Sequence, residues 1–188
     1  MVIFRRLVVF LGLLSICFAQ QPPAPRKCPD VPIKTTDGKI IRISQYHDKV
    51  VLIAMFSTVC DHCLATLEFM ARLQNEMAAR GLQVVAISLD DNAANVAPFA
   101  ERYRFPFPVG HLTPDPALQL INMKKDAHPI VPLLMFVDWM GNVRFQYQGN
   151  DPVFANGEKD IRGIATGLLR QAAEKKGPTY QTKPAGKQ

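Results

Sequence analysis

Two cysteines separated by two residues follow closely on an uninterrupted apolar run, and this arrangement strongly limits what the chain can fold into. The run is Val50–Phe56, and Cys60 and Cys63 enclose Asp61 and His62. The run predicts a buried strand, and the apolar residues after the second cysteine recur at helical spacing. A strand-to-helix turn places the first sulfur beside unpaired backbone N–H groups, which stabilise a thiolate. Because the second sulfur lies one helical turn along, the pair predicts a dithiol/disulfide switch.

The N-terminus has the three parts of a secretory signal peptide. Arg5 and Arg6 form a positive region, Leu7–Phe18 an apolar core, and Cys17-Phe18-Ala19 a cleavage site. The core is shorter than the ~20 residues that a spanning helix needs. We therefore predict a signal peptide over residues 1–19 and an exported protein, periplasmic or associated with the outer side of the membrane. The alternatives are an uncleaved membrane anchor and a lipoprotein.

Cleavage also changes the number of cysteines. Of the four in the chain, Cys17 leaves with the signal peptide, and Cys28, Cys60 and Cys63 remain. An odd number in an oxidising compartment leaves at least one thiol without a partner in the chain. A close pair with one further cysteine therefore indicates redox chemistry rather than a structural disulfide framework.

Length and charge limit the number of domains and the kinds of partner that the chain can have. A chain of 188 residues that is 48% hydrophobic suits one well-packed domain. Loss of Arg5 and Arg6 lowers the formal net charge from +6 to +4, and there is no concentrated run of Lys and Arg. We therefore expect no nucleic-acid partner. The predicted divisions after the signal peptide are a Pro-rich leader (20–31), one domain (32–175) and a polar tail (176–188).

Turn and periodicity signals predict an α/β domain with a central mixed sheet flanked by helices. Asp37-Gly38 between two β-rich segments is typical of a hairpin, which forms an N-terminal extension. A strand–helix–strand order then implies a parallel crossover. The predicted elements are strands at 33–36, 39–43, 50–56, 82–89, 133–138 and 143–148, and helices at 63–80, 93–103, 116–121 and 158–175.

Taken together, these motifs resemble the thioredoxin-like superfamily. They are the Asp37-Gly38 hairpin, the strand that leads to Cys60 and Cys63, the crossover, and Val131-Pro132 before an apolar strand and a Gly-Asn turn. Over roughly residues 28–169 the chain looks most like the exported TlpA/ResA-type thiol–disulfide oxidoreductases of the broader redoxin, or AhpC/TSA-like, group. The resemblance implies a thioredoxin-like fold, and we expect neither a cofactor nor a metal ion.

We expect the two cysteines to have different roles. Cys60 is the expected nucleophile, and Cys63 resolves the mixed disulfide. His62 favours the thiolate, as histidine does at this position in strongly oxidising relatives, whereas the negative charge of Asp61 disfavours it. We therefore expect a reduction potential between those of thioredoxin and the strong oxidants.

The resemblance also implies a substrate-docking site. In the family, the proline that matches Pro132 is cis and lies against the cysteines. The backbone of the preceding residue, here Val131, pairs with an extended substrate peptide. The expected partners are therefore protein thiols or disulfides and an upstream redox protein, with the chain itself a monomer.

The chain departs from the family at three positions. Val59 replaces the aromatic residue that usually precedes the first cysteine. Ala54 falls where thioredoxins have a buried acid, and Thr66 falls where many TlpA/ResA relatives have a glutamate. Glu68 is nearby in sequence, but two residues rotate a helix by about 200°, so it faces elsewhere.

Two alternatives to the oxidoreductase remain open. The first is a peroxiredoxin-like peroxidase, because Ser57 precedes Cys60 in a hydroxyl-x-x-Cys pattern, although Ile53 replaces the proline of those enzymes. The second is a copper-binding carrier using Cys60, Cys63 and His128, since thiolate and imidazole ligands suit copper.

Overall fold

A computed structural model describes residues 25–176, which form one eight-stranded mixed sheet and four α-helices. The predicted signal peptide, the first five residues of the leader and all but residue 176 of the polar tail lie outside the described residues. Within the described part of the chain, no helix is long and apolar enough to cross a bilayer.

The sheet order is β1-β8-β7-β4-β5-β6-β2-β3. The strands are β1 (Arg26–Lys27), β2 (Ile33–Thr35), β3 (Ile40–Ile41), β4 (Val50–Phe56), β5 (Leu82–Ser88), β6 (Val109–His111), β7 (Leu133–Val137) and β8 (Asn142–Tyr147). The helices are α1 (Asp61–Met77), α2 (Val96–Tyr103), α3 (Pro114–Ile121) and α4 (Gly157–Lys176). This arrangement confirms the predicted mixed sheet flanked by helices.

Strand pairing confirms the main topological predictions. The N-terminal hairpin forms, with β2 and β3 antiparallel across the turn at Gly38, whose φ of +82° suits glycine. Strands β4 and β5 pair in parallel, as the predicted crossover requires. Strands β7 and β8 form the second antiparallel hairpin, and β7 pairs antiparallel with β4.

Strand β4 lies at the centre of the molecule because all seven of its residues are apolar and buried. Alternate side chains point to opposite faces of a strand. Leu52 and Ala54 therefore pack in the cluster that contains α1, α2 and α4, whereas Ile53 and Met55 pack in the cluster that contains α3. Both faces of the sheet are covered, and the carboxyl end of β4 is held rigidly beneath the cysteines.

A buried amide fixes α1 against the neighbouring strand. The Gln74 side chain is 7% exposed, and its Oε1 accepts a hydrogen bond of 2.6 Å from the Val84 N–H. Burial of a polar group is costly unless it is paired, so this bond favours one position of the helix on the sheet. Gln74 thus helps to determine where the N-terminus of α1 lies.

Several boundaries differ from the sequence predictions. Helix α1 begins at Asp61 rather than Cys63, and a 3-10 turn from Ala78 to Arg80 leads to Gly81 in the left-handed region. Helix α3 begins at Pro114, because proline suits the first turn of a helix. Two short strands were not predicted: β6, and β1, which lies inside the predicted leader and pairs with β8.

Candidate functional site

The cysteine pair lies where β4 gives way to α1. Cys60 is the N-cap of α1 with an extended backbone, and its Sγ lies 3.2 Å from the Cys63 N–H, which donates to it. The two cysteines form a disulfide, with their Cα atoms 5.2 Å apart. First-turn N–H groups have no intrahelical acceptors, so they and the helix dipole favour negative charge on this sulfur. The predicted helix-terminal environment of Cys60 is therefore present.

The two sulfurs differ in exposure. Cys63 is 1% exposed and belongs to the core between α1 and the sheet, whereas Cys60 is partly exposed and packs against the edge of that core. Of the two sulfurs, Cys60 is therefore the more accessible from solvent. Asp61 and His62 are both exposed in the first turn of α1.

Sheet register brings the Val131–Pro132 segment to the dithiol. Leu133, the first residue of β7, pairs with Met55 near the end of β4. The segment before β7 therefore lies beside the turn that follows β4. The peptide bond between Val131 and Pro132 is cis, as the family resemblance implied.

A groove of about 430 Å³ lies beside the dithiol, although neither cysteine is among the residues that line it. His62, Val131 and Pro132 all line it, so three of the predicted site residues share one surface. Asp61 does not line the groove. The wall away from Pro132, called the far wall below, is largely apolar. It is formed by α1, by the segment between β8 and α4, and by α4 itself, which contribute Phe69, Phe154 and Ile161 respectively.

Two ion pairs hold the far wall together. Arg72 of α1 pairs with Glu158 of α4, and Arg162 of α4 pairs with Glu76 of α1. Both guanidinium groups lie near the ring of Phe69, at 5.5 and 5.8 Å from its centroid. These contacts connect α1 to α4 beside the groove, although side chains so exposed to solvent add little to stability.

The groove wall has a threonine where many TlpA/ResA relatives have a glutamate. The Thr66 hydroxyl donates a hydrogen bond of 2.8 Å to the His62 carbonyl. Thr66 lines the groove but has no carboxyl group to take up a proton. Glu68 is exposed and does not line the groove, so it does not replace the missing acid there.

Gly149, which the sequence analysis did not identify, permits the close packing of the Val131–Pro132 segment. A Cβ atom at position 149 would lie 2.6 Å from the Val131 carbonyl oxygen and 3.3 Å from Pro132 Cδ. The Gly149 N–H donates a hydrogen bond of 3.0 Å to the Ile130 carbonyl, which draws the two segments together. The only signal in the sequence was a glycine shortly after a predicted strand.

Asp90 is a second residue outside the predicted set. Its carboxylate accepts hydrogen bonds from the Ser57 hydroxyl and the Thr58 N–H, in the turn before Cys60. Asp90 lies shortly before a predicted helix, but the helical segment there is capped by Asn92, whose side chain accepts a hydrogen bond from the Ala94 N–H. Contact between Asp90 and the turn depends on pairing of β4 with β5, which local patterns do not encode.

Cys28 and His128 are not brought to the dithiol. Cys28 packs against the cluster on the α3 side of the sheet, and burial raises the pKa of its thiol to about 11. His128 is exposed and does not line the groove. Within residues 25–176, no group of three or more His, Cys, Asp or Glu side chains is arranged to hold a metal ion.

Comparison with known proteins identifies the family. The model of the AhpC/TSA family matches residues 25–146, well over half of the chain. The chain belongs to the AhpC/TSA family. This membership agrees with the redoxin resemblance of the sequence motifs.

Individual relatives of this AhpC/TSA protein are bacterial. The chain is similar to the thiol-disulfide oxidoreductase ResA of Oceanobacillus iheyensis, with 33% identity over 75 residues, or 40% of this chain and 39% of that protein. It is also similar to ResA of Geobacillus kaustophilus, with 25% identity over 116 residues, or 62% of this chain and 64% of that protein. The chain thus spans less than two thirds of the length of these relatives.

Solved structures confirm the thioredoxin-like fold. A putative thiol:disulfide interchange protein DsbE from Chlorobium tepidum matches with a TM-score of 0.65 at 24% identity, covering 77% of this chain and 96% of that chain. A thioredoxin family protein from Chlorobium tepidum TLS matches with a TM-score of 0.66 at 23% identity, covering 77% and 97%.

Proposed function

We propose that this AhpC/TSA protein is an extracytoplasmic thiol–disulfide oxidoreductase that acts on protein disulfides or dithiols. The observation that carries the proposal is the Cys60–Cys63 disulfide at a helix N-terminus, beside a groove lined by Val131 and Pro132. The names of the ResA relatives support this chemistry. The extracytoplasmic location rests on the predicted signal peptide over residues 1–19.

The proposed reaction has two exchange steps. The Cys60 thiolate attacks one sulfur of a substrate disulfide, which forms a mixed disulfide and releases the other substrate sulfur as a thiolate that takes up a proton. The Cys63 thiol then loses its proton, attacks Cys60 Sγ and releases the second substrate thiolate. The substrate gains two electrons and two protons, and the Cys60–Cys63 pair is oxidised. Run in reverse, the same steps oxidise a substrate dithiol.

Residues around the dithiol have proposed roles in this exchange. The Cys63 N–H stabilises the Cys60 thiolate when it forms and when it leaves. His62 adds a favourable partner for the thiolate, and Asp61 opposes it. Both are exposed at the first turn of α1, where solvent weakens their influence.

Val131 is proposed to hold the substrate backbone. Within residues 25–176, neither its N–H nor its carbonyl group has a hydrogen-bond partner. An extended peptide that pairs with these groups would run along the groove and bring its own cysteine to Cys60. An upstream redox protein would use the same surface to restore the dithiol.

The peroxidase alternative receives less support. The Ser57 hydroxyl of the hydroxyl-x-x-Cys pattern donates to Asp90 at 2.6 Å, so it is already engaged there. No arginine lines the groove in the described part of the chain. The groove beside the dithiol therefore supplies no guanidinium group of the kind that would stabilise a peroxidatic thiolate.

Insulin reduction by dithiothreitol tests the proposed function. The protein is expected to accelerate the appearance of turbidity, and Cys60→Ser is expected to return the rate to that of dithiothreitol alone, because no nucleophile remains. Cys28→Ser is the matched control and should retain the wild-type rate, since Cys28 lies on the other side of the sheet. No acceleration by the wild type, or full activity of Cys60→Ser, would count against the proposal. Fast consumption of hydrogen peroxide by the wild type without insulin reduction would favour the peroxidase.

A further inference from the structure

Three neighbouring strands end beneath the turn that carries Cys60. Phe56 at the end of β4 pairs with Ser88 at the end of β5, and Ser88 pairs with His111 at the end of β6. The Ser57–Cys60 turn therefore lies next to the segment that follows β5, which begins with Leu89 and Asp90. A carboxylate in that segment is in a position to bind the turn.

Asp90 makes that contact with both of its carboxylate oxygens. Asp90 Oδ1 accepts a hydrogen bond of 2.6 Å from the Ser57 hydroxyl. The Thr58 N–H lies 3.2 Å from each of Asp90 Oδ1 and Oδ2 and donates to both. Within the turn itself, the Cys60 N–H donates to the Ser57 carbonyl at 3.2 Å. Asp90 is thus connected to Cys60 through one residue, Ser57.

The backbone of Asp90 is itself held in place. Its N–H donates to the hydroxyl of Ser88, a fully buried residue, at 3.1 Å. Its carbonyl oxygen lies 2.8 Å from His111 Nε2, within hydrogen-bond distance. The backbone that carries the carboxylate is therefore held against the ends of β5 and β6, and the turn is connected to the sheet through it.

Packing and the disulfide hold this turn at Cys60, but the residue before Cys60 lies in solvent. Val59, the residue immediately before Cys60, is 87% exposed. The Val59 side chain therefore cannot anchor the backbone, and hydrogen bonds hold the part of the turn that precedes it. The hydrogen bonds from Ser57 and Thr58 to Asp90 connect the turn to the segment that follows β5.

We propose that Asp90 is a positioning residue that sets the orientation of the Cys60 sulfur toward a substrate bound at Val131. The inference rests on the proposed exchange reaction at Cys60. Exchange needs the attacking sulfur aligned with the substrate disulfide, and misplacement by about 1 Å costs up to about 100-fold in rate. A protein substrate docked on the groove cannot follow a displaced sulfur, whereas a small disulfide can approach from any side.

The carboxylate stays charged throughout the working pH range. Burial alone would raise the pKa of Asp90, but hydrogen bonds from Ser57, Thr58 and Ser88 outweigh it and lower the pKa below its ordinary value. The stabilisation is therefore fully present above the unfolded value of about 3.9 and is lost only as the pH falls through the lower folded value. The effect of Asp90 is accordingly independent of pH between about 6 and 8.

Two variants of the full-length chain test the proposal. In Asp90→Ala, kcat/KM for insulin is expected to fall about tenfold, whereas the rate with a small aromatic disulfide should change less than about twofold. Asp90→Asn should recover kcat/KM for insulin to within about threefold of wild type, because the amide oxygen accepts from the same two donors. Asp91→Ala is the matched control, since Asp91 is exposed and next in sequence, and it should behave as wild type.

The outcomes separate positioning from a purely structural role. Wild-type kcat/KM in Asp90→Ala, equal losses with insulin and the small disulfide, or no recovery in Asp90→Asn would overturn the inference. If Asp90→Ala does not fold, Ser57→Ala removes the 2.6 Å hydrogen bond to Asp90, together with the 3.5 Å bond that the Val59 N–H donates to the same hydroxyl, and leaves Asp90 bound to the Thr58 N–H. It should lower kcat/KM for insulin about threefold, and a wild-type value there would likewise overturn the inference. Failure of wild-type protein to reduce insulin refutes the proposed function instead, so the two failures are distinguishable.

Discussion

Replacing Cys63 by serine is expected to convert the protein from a catalyst into a trap for its substrate. Cys60 remains able to attack a substrate disulfide, but serine cannot attack the resulting mixed disulfide. A covalent adduct with insulin, sensitive to dithiothreitol, should therefore accumulate to near stoichiometry while turnover falls to the background rate. Non-reducing electrophoresis with mass spectrometry of the linked peptides measures both the yield and the cysteine involved.

The two cysteine variants should differ in adduct formation because the two sulfurs differ in exposure. Cys60 is partly exposed and Cys63 is 1% exposed, so Cys60→Ser should form no adduct through the remaining buried thiol. Cys28→Ser on top of Cys63→Ser should leave the adduct unchanged. An adduct linked through Cys63 or Cys28 would contradict the assignment of Cys60 as the nucleophile.

Gly149→Ala is expected to displace the Val131–Pro132 segment and impair both stability and activity. The added Cβ would lie 2.6 Å from a backbone oxygen, so the chain itself must shift. Such overpacking costs about 1–3 kcal/mol in the free energy of unfolding. Because Val131 is the proposed docking residue, kcat/KM for insulin should fall about tenfold or more. Urea unfolding and the insulin assay on the same preparation check both parts.

A helical glycine provides the matched control. Gly163 in α4 is exposed, and an added Cβ would meet nothing within 4 Å. Gly163→Ala should leave activity unchanged and raise the free energy of unfolding by about 0.5–1 kcal/mol, since alanine favours a helix. If Gly149→Ala behaves in the same way as Gly163→Ala, the close packing at Val131 has no functional role.

Local signals were sufficient to predict much of the fold. The seven-residue apolar run of β4 and the Asp37-Gly38 turn act through neighbouring residues, so both appear in the sequence pattern. Strands β1 and β6 were not predicted. They have only two and three residues, and each forms by pairing with strands that are distant in sequence. The start of α1 was placed two residues late because the cap is Cys60 itself rather than a common capping residue.

In the candidate site, too, the residues in local motifs were predicted and those that depend on tertiary contacts were not. The cysteine spacing predicted that Cys60 and Cys63 pair, which the disulfide confirms, and the family resemblance brought Val131 and Pro132 into consideration. Asp90 and Gly149 were not predicted, because their partners lie across the sheet: Thr58 is 32 residues from Asp90 in sequence. Their importance arises from strand register and close backbone approach, which no local pattern reveals.

The reduction potential of the Cys60–Cys63 couple tests the account most directly. Full-length protein is equilibrated in glutathione buffers of graded potential, its free thiols are alkylated, and each redox form is counted by mass spectrometry. A thiolate favoured by His62 and opposed by Asp61 predicts a reversible transition between about −270 mV, the thioredoxin value, and about −120 mV, that of the strongest oxidants. A pair that stays oxidised below about −300 mV, as structural disulfides do, would contradict the account.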